Sequence, residues 1–171
     1  MNAGVGKLGT IALVGFLTIL AGCSGGASGE STGSSAKTSE IVSQDQELAE
    51  YRAEAARLDL PGKASWPSPT PLPSAPDANG VMRGNVFEKG VGTSNAQGYF
   101  LCAWMKESLS AHSGHDDARL GIAIAKVKSV RSMRLYLQDY DAATRAGFDK
   151  EVSRAELGDF TLMRQDVAAN C

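Results

Sequence analysis

From residue 94 onward, apolar residues recur every three or four positions, which is the spacing of one face of an α-helix. In residues 95–111 they point in nearly every direction around the helix, and a helix that is apolar all round is typical of the middle of a domain. Ser94 and Gln97 match a capping box that would start this helix. We therefore expect residues 95–111 to be the central element of an α-helical domain over residues 94–171.

Two further helices are predicted directly after the central one. Asp116 and Asp117 suit a helix N-terminus, because acidic side chains are favoured there, and apolar residues then continue to about residue 130. Ser132 predicts the start of the next helix, which Gly147 would end.

The tail of the chain allows two interpretations. Phe148 is placed for the apolar contact that accompanies a glycine-terminated helix. Two helices, 149–157 and 160–170, are favoured because Gly158 is costly inside a helix and the following aspartate is a good N-cap. A single helix that begins at a capping box on Ser153 is the alternative.

An earlier helix is predicted over residues 43–60. Ser43 and Gln46 match a capping box, and apolar residues follow at spacings of three and four: Leu48, Tyr51, Ala55 and Leu58. Docking on the chain's own domain is the plainer interpretation, and pairing with a helix of another chain is the alternative.

Residues 61–93 are predicted to be a Pro/Gly-rich linker. All six prolines lie in residues 61–76, and their alternation favours an extended, polyproline-like spacer. Trp66 could pin the spacer to the domain surface. Binding of the Pro-rich stretch in an aromatic groove of a partner is a less favoured alternative. Residues 81–83 and 86–88 flank Gly84-Asn85 and predict a small β-hairpin.

A different pattern occupies the first 23 residues. Behind Lys7, residues 8–20 form an apolar run of about 13 residues, whereas crossing a bilayer takes roughly 20. The run ends in Leu20-Ala21-Gly22-Cys23, which resembles the lipobox of bacterial lipoproteins. The resemblance implies removal of residues 1–22 and attachment of a diacylglycerol to the sulfur of Cys23. A plain signal peptide that happens to contain a cysteine is the alternative.

The lipobox resemblance implies a location at the extracytoplasmic face of the cell membrane. Acyl chains such as palmitate anchor a protein stably when two are present, so the membrane would be a partner through the lipid alone. Residues 23–42 follow as a flexible tether rich in Gly and Ser. A net charge of −2 and this location both argue against nucleic acid as a partner.

The chain contains three cysteines. If the sulfur of Cys23 is acylated, Cys102 and Cys171 remain, and an oxidising compartment favours a disulfide between them. No cysteine has a neighbour at the spacing of a CxxC motif, so a thiolate metal site of that kind is not expected.

A second resemblance rests on short motifs: Leu60-Pro61-Gly62, Trp66-Pro67, Cys102-Ala103-Trp104 and Asn170-Cys171. Together they are similar to uncharacterised secreted and lipid-anchored proteins of high-GC Gram-positive bacteria. The resemblance supports the disulfide pairing and implies no activity, substrate or site residue.

The strongest metal candidates are His112, His115, Asp116 and Asp117. Two imidazoles and a carboxylate could hold Zn²⁺. However, Gly114 between the histidines indicates a turn, and the aspartates already suit the start of a helix. We therefore expect no metal and no cofactor.

Other charged groups could also contact ligands. Lys126, Lys128, Arg131 and Arg134 could meet anionic headgroups or wall polymers, although an ordinary solvated face is the simpler interpretation. Asp139 and Asp141 form an acidic pair, yet no nucleophile motif accompanies them. The sequence thus gives no reason to expect an enzyme.

These patterns predict an all-α fold, a small disulfide-clamped helical bundle that follows a tether, one amphipathic helix and a Pro-rich linker. The expected function is that of a lipid-anchored binding or scaffolding module at the cell envelope, with an envelope protein as a potential partner. Two alternatives stay open: an envelope enzyme, which could use a metal, and a prophage-type exclusion or immunity lipoprotein.

Overall fold

The computed structural model describes residues 40–171, so the lipobox, Cys23 and most of the predicted tether lie outside the described part. The elements in chain order are β1 (Ile41–Ser43), α1 (Gln44–Ala55), β2 (Ala75–Pro76), β3 (Met82–Arg83), β4 (Val86–Glu88), α2 (Val91–Ser113), α3 (Asp117–Ser129), α4 (Ala142–Glu156) and α5 (Thr161–Asn170). A 3-10 turn (Val130–Ser132) and a π-helical turn (Leu135–Asp139) join α3 to α4. The predicted all-α class is confirmed.

α2 is the central helix, as its apolar residues predict. α1, α3 and α5 pack directly on it, whereas α4 packs on α3 and α5. The core contains the α2 residues Phe100, Leu101, Trp104 and Met105 together with apolar side chains from α3, α4 and α5. Because α4 does not pack along α2, a groove is left between these two helices.

The start of α2 differs from the prediction. The helix begins after Gly90, which has a φ of 94°, and no side chain caps it. Ser94 and Gln97 lie inside the helix, so the prediction that they form a capping box is wrong. Gln97 is buried and donates from Nε2 to Glu54 Oε1 at 2.7 Å. The Gln97 side chain, which the local pattern predicted to cap α2, instead forms a hydrogen bond to α1.

α1 docks on its own chain. Its predicted capping box is present: the Ser43 N–H donates to Gln46 Oε1, and the Gln46 N–H donates to Ser43 Oγ. Buried Leu48 and Tyr51 face the rest of the unit, and α1 packs against α2. The helix and the linker are thus parts of one compact unit within residues 40–171 rather than separate modules before residue 94.

Two small antiparallel sheets replace the predicted hairpin. β1 pairs with β4, with Val42 opposite Phe87, and β2 pairs with β3. The segments at 81–83 and 86–88 therefore pair with different partners, and the hairpin prediction is wrong. Pairing between β4 and β1 is accompanied by burial of Val42. An isolated two-stranded hairpin is only marginally stable, because it has no such packing.

Residues 64–74 of the Pro-rich segment form neither helix nor strand, and Trp66 holds the segment to the domain. The Trp66 ring lies 5.4 Å from the Tyr99 ring of α2 and 6.1 Å from the Tyr51 ring of α1. The hydroxyl of Tyr99 donates to the Ser65 carbonyl at 3.0 Å, and that of Tyr51 donates to the Pro67 carbonyl at 3.4 Å. The expected pinning by Trp66 is confirmed.

The prediction of a helix from Ser132 to Gly147 is wrong. The chain breaks after the π-helical turn, and Asp141 then caps α4 by accepting from the Thr144 N–H at 2.7 Å. Gly147 lies in the middle of α4. Phe148 is buried in the core and does not make the predicted apolar contact of a glycine-terminated helix. The aspartate cap outweighs the stop signal because a helix tolerates one glycine at a cost of about 1 kcal/mol.

The tail forms two helices, as favoured. α4 ends at Glu156, two residues before Gly158, whose φ is 86°. Asp159 Oδ1 accepts from the Thr161 N–H at 3.0 Å, but the N-cap position of α5 is Phe160, so the prediction of Asp159 as the N-cap is one residue early. The first piece begins at Ala142 rather than near residue 149. The alternative of one continuous helix from Ser153 is excluded.

The predicted disulfide between Cys102 and Cys171 is present, with Cα atoms 5.6 Å apart. It links the end of α5 to the middle of α2, across 69 residues of chain. Within residues 40–171, no helix combines the length and apolar character needed to cross a bilayer.

Candidate functional site

An open groove of about 1630 Å³ lies between α2, α4 and α5. Gly98 of α2 and Gly147 of α4 both line it, and a Cβ atom at either position would meet nothing within 4 Å. Neither position therefore adds a side chain to the wall of the groove, and Gly147 is exposed. Apolar side chains form much of the wall: Leu101, Met105, Leu135, Phe148 and Leu162.

Glu151 is the unusual residue of this groove. It lies on the inward stripe of α4, three residues after Phe148 and next to Val152, and only 7% of it is exposed. One carboxyl oxygen, Oε1, is buried and has no hydrogen-bond partner. Within residues 40–171, the only other such buried side-chain atom is Arg134 Nε. A buried polar atom without a partner costs free energy, on the order of 1–3 kcal/mol.

Burial raises the pKa of the Glu151 carboxyl from 4.5 to about 7, and the nearby Asp166 of α5 adds to this rise. Burial disfavours the charged form of a carboxyl, and a second negative charge does the same. Burial also raises the pKa of the Tyr140 hydroxyl, with Asp166 and Glu151 contributing. These three groups therefore form one electrostatic cluster, in which Glu151 exchanges a proton near neutral pH.

No lysine or arginine of the described residues forms an ion pair with Glu151 or Asp166. Cationic side chains do line the groove, but all of them are exposed: Lys63, Lys106, Arg119 and Lys150. Lys106 Nζ donates to the Cys171 carbonyl at 2.8 Å, and Arg119 pairs with Glu107 at 2.6 Å. The positive charge thus lies at the rim, and the acidic groups lie deeper.

The metal candidates are close in sequence, but each has another contact. The His112 ring stacks on Phe160, with 4.2 Å between ring centroids. His115 adopts a φ of 52° in the turn before α3, and Asp116 caps α3 by accepting from the Arg119 N–H at 3.0 Å. Asp117 lies in the first turn of that helix. In the part of the chain that the structure describes, no three His, Cys, Asp or Glu side chains are grouped to hold a metal ion.

The basic residues near the end of α3 are paired with acidic neighbours. Lys128 lies 2.5 Å from Glu156, and Arg131 lies 2.8 Å from Asp149. The other two pairs are Arg134 with Asp139 at 3.4 Å and Lys126 with Asp59 at 3.9 Å. Asp139 also accepts from the Ser94 hydroxyl, and Asp141 is the cap of α4. Each of the four basic residues thus has an acidic neighbour, and each of the two aspartates has a contact within the fold.

Sequence reasoning missed Glu151 and Asp166. The available signal was the position of Glu151 on the apolar stripe that contains Phe148 and Val152, where a charged residue is rarely buried without a partner. The signal was hidden because the preceding helix was expected to end at Gly147, which placed Phe148 in a turn. No protein-family model, no curated protein and no solved structure matches this chain.

Proposed function

We propose that this protein is a ligand-binding module held at the outer face of the cell membrane by a lipid on Cys23. The observation that carries the binding role is the unpartnered oxygen of Glu151 in an open groove. Oε1 itself is closed off from solvent, so a ligand in the groove would reach it through a rotation of the Glu151 side chain. A hydrogen bond donated to this oxygen would then recover the free energy that its burial costs. A concave, largely apolar site with a few inward polar groups is also the usual form of a small-ligand site.

The lipobox supports the location. Its apolar run is too short to span a bilayer, and a small residue precedes the cysteine where the run ends. Ile41 and Val42, at the end of the predicted tether, belong to β1, so the tether is shorter than predicted. Residues 24–39, about 16 residues rich in Gly and Ser, would have a root-mean-square reach on the order of 20 Å. The binding unit would therefore sample the space just outside the membrane while the lipid keeps it there.

Site-specific photocrosslinking in cells tests the binding role. A photoreactive amino acid at Gly147 would project into the groove, and the same amino acid at exposed Glu88 serves as the control. We expect a discrete crosslinked species from position 147 that Glu151→Gln weakens and that position 88 does not give. Equal crosslinking from both positions would contradict a ligand in the groove.

The pKa of Glu151 supports a second candidate, an acid–base enzyme in the envelope. A carboxyl with a pKa near 7 can act as a general acid at neutral pH. In that case, Glu151→Gln would abolish turnover of the crosslinked ligand while leaving its binding nearly intact. In a binding module, the same change would weaken binding, and the ligand would be recovered unaltered from the wild-type protein.

A further inference from the structure

Two acidic side chains, Glu151 and Asp166, line the groove between α2, α4 and α5. Glu151 and Asp166 approach one another from α4 and α5, and no cation of residues 40–171 pairs with either carboxyl. The unpartnered Oε1 atom belongs to Glu151, the more buried of the two. Asp166 Oδ1 accepts a hydrogen bond from Asn170 Nδ2. The described residues thus supply a neutral donor to Asp166 and none to Glu151 Oε1, and they supply a cation to neither carboxyl.

We propose that the groove binds an alkylammonium group, with the cationic nitrogen against Glu151 and Asp166 and the apolar stem along α2. This inference rests on the proposed function, because it names the ligand of the same site. A cation stabilises the ionised form of both carboxyl groups, whereas a neutral donor supplies a hydrogen bond to one oxygen atom only. A charge-assisted hydrogen bond is also stronger than a neutral one.

The walls of the groove fit the stem. Leu101 and Met105 of α2 and Phe148 of α4 line the groove beside the acidic pair. A Cβ atom at Gly98 or Gly147 would meet nothing within 4 Å, so an unbranched chain that passes these two lining positions meets no side chain there. Its methylene groups would be removed from water at the same time as the nitrogen reaches Glu151.

Binding of this ligand should release a proton. Tyr140 and Asp166 interact electrostatically with Glu151, and the other ionisable groups that line the groove are Lys63, Tyr99, Lys106, Glu107, Arg119 and Lys150. Neither histidine lines it. With a pKa of about 7, Glu151 changes from mostly protonated to mostly ionised between pH 6 and pH 8. Since an ammonium group remains charged over this range, its affinity should rise about tenfold.

NMR titration of the full mature protein in detergent tests the inference, with pentylamine and pentanol as probes of equal length. We expect pentylamine to bind at least tenfold more tightly than pentanol at pH 8, with shifts at Met105, and to lose about tenfold in affinity at pH 6. Glu151→Gln and Asp166→Asn should each reduce the preference, whereas Glu156→Gln, at an exposed position of α4, should keep it.

Two outcomes would overturn the ammonium inference. One is equal binding of the amine and the alcohol in the groove, and the other is an amine preference that survives Glu151→Gln. Neither outcome affects the proposed function, which the crosslinking from position 147 decides separately. A lysine-containing peptide and a linear polyamine, titrated side by side, then distinguish a protein side chain from a free amine as the source of the group.

Discussion

Gly92 of α2 lies directly against the backbone of Glu47 on α1: a Cβ atom at position 92 would be 2.0 Å from the Glu47 carbonyl oxygen. No real side chain tolerates this distance, so the two helices can pack this closely only because residue 92 is glycine. The contact fixes α1 on the domain, and with it the nearby bond from Gln97 to Glu54.

We predict that Gly92→Ala lowers the free energy of unfolding by about 2–3 kcal/mol, because α1 must move away from α2. Urea denaturation measures the change. Gly98→Ala is the matched control on the same helix: its Cβ has free space, so it should raise stability by about 0.5–1 kcal/mol through helix propensity. Equal effects of the two substitutions would refute the close-packing argument.

The pKa of Glu151 predicts how stability depends on pH. Since the folded state raises this pKa from 4.5 to about 7, the folded protein binds the proton more tightly than the unfolded chain does. The contribution of Glu151 to stability should therefore be largest below pH 4.5, fall as pH rises towards 7, and level off above it, with a total loss of about 3 kcal/mol from this group.

Glu151→Gln should remove this decline and stabilise the protein at pH 8, as measured by urea denaturation from pH 5 to pH 8. Glu88→Gln removes the same charge from an exposed strand and should leave the decline unchanged. A wild-type protein whose stability does not fall between pH 5 and pH 7 would be inconsistent with a buried, proton-binding Glu151.

The disulfide should contribute strongly to stability. In the chain-entropy model, a bond between residues 69 apart stabilises the fold by roughly 4 kcal/mol. Cys102→Ser and Cys171→Ser should each lower the free energy of unfolding by a similar amount and increase amide exchange in α5. Reductant should destabilise the wild-type protein but neither variant, and a wild type that reductant leaves unchanged would contradict the prediction.

The lipid anchor is tested independently of the fold. Cys23→Ala should abolish acylation and move the protein out of the membrane fraction, because the acyl chains are the proposed membrane contact. Mass spectrometry of the mature N-terminus and cell fractionation measure this. Cys102→Ser is the control and should stay in the membrane fraction, whereas an unmodified terminus at a residue other than Cys23 would rule the anchor out.

Three local signals predicted the structure correctly. The Ser43 capping box, the Asp116 cap and the break at Gly158 each depend on residues a few positions apart, and all three are present. The disulfide could also be predicted, because few cysteines were available to pair.

The failures involve contacts between distant residues. The Leu135 N–H donates to Gln97 Oε1 at 2.8 Å, a bond across 38 residues that lies at the start of the π-helical turn. No local periodicity can reveal this bond, so the helix expected from Ser132 was placed wrongly. The misplaced helix in turn hid Glu151, because the groove depends on where α4 begins and on its distance from α2.

The pairing of β1 with β4 determines how the unit responds to mechanical load. A pull along the chain ahead of Glu40 reaches β1 first, where three residue pairs, the backbone bond from Lys89 to Glu40 and one ion pair between these residues resist it. The two cysteines lie much later in the chain, and their disulfide prevents the segment between them from being extended by such a pull. Force applied through the proposed membrane tether would therefore separate β1 and then α1 from the domain first. The disulfide would keep residues 102–171 linked, so the short β1–β4 ladder would yield before the helices that line the groove.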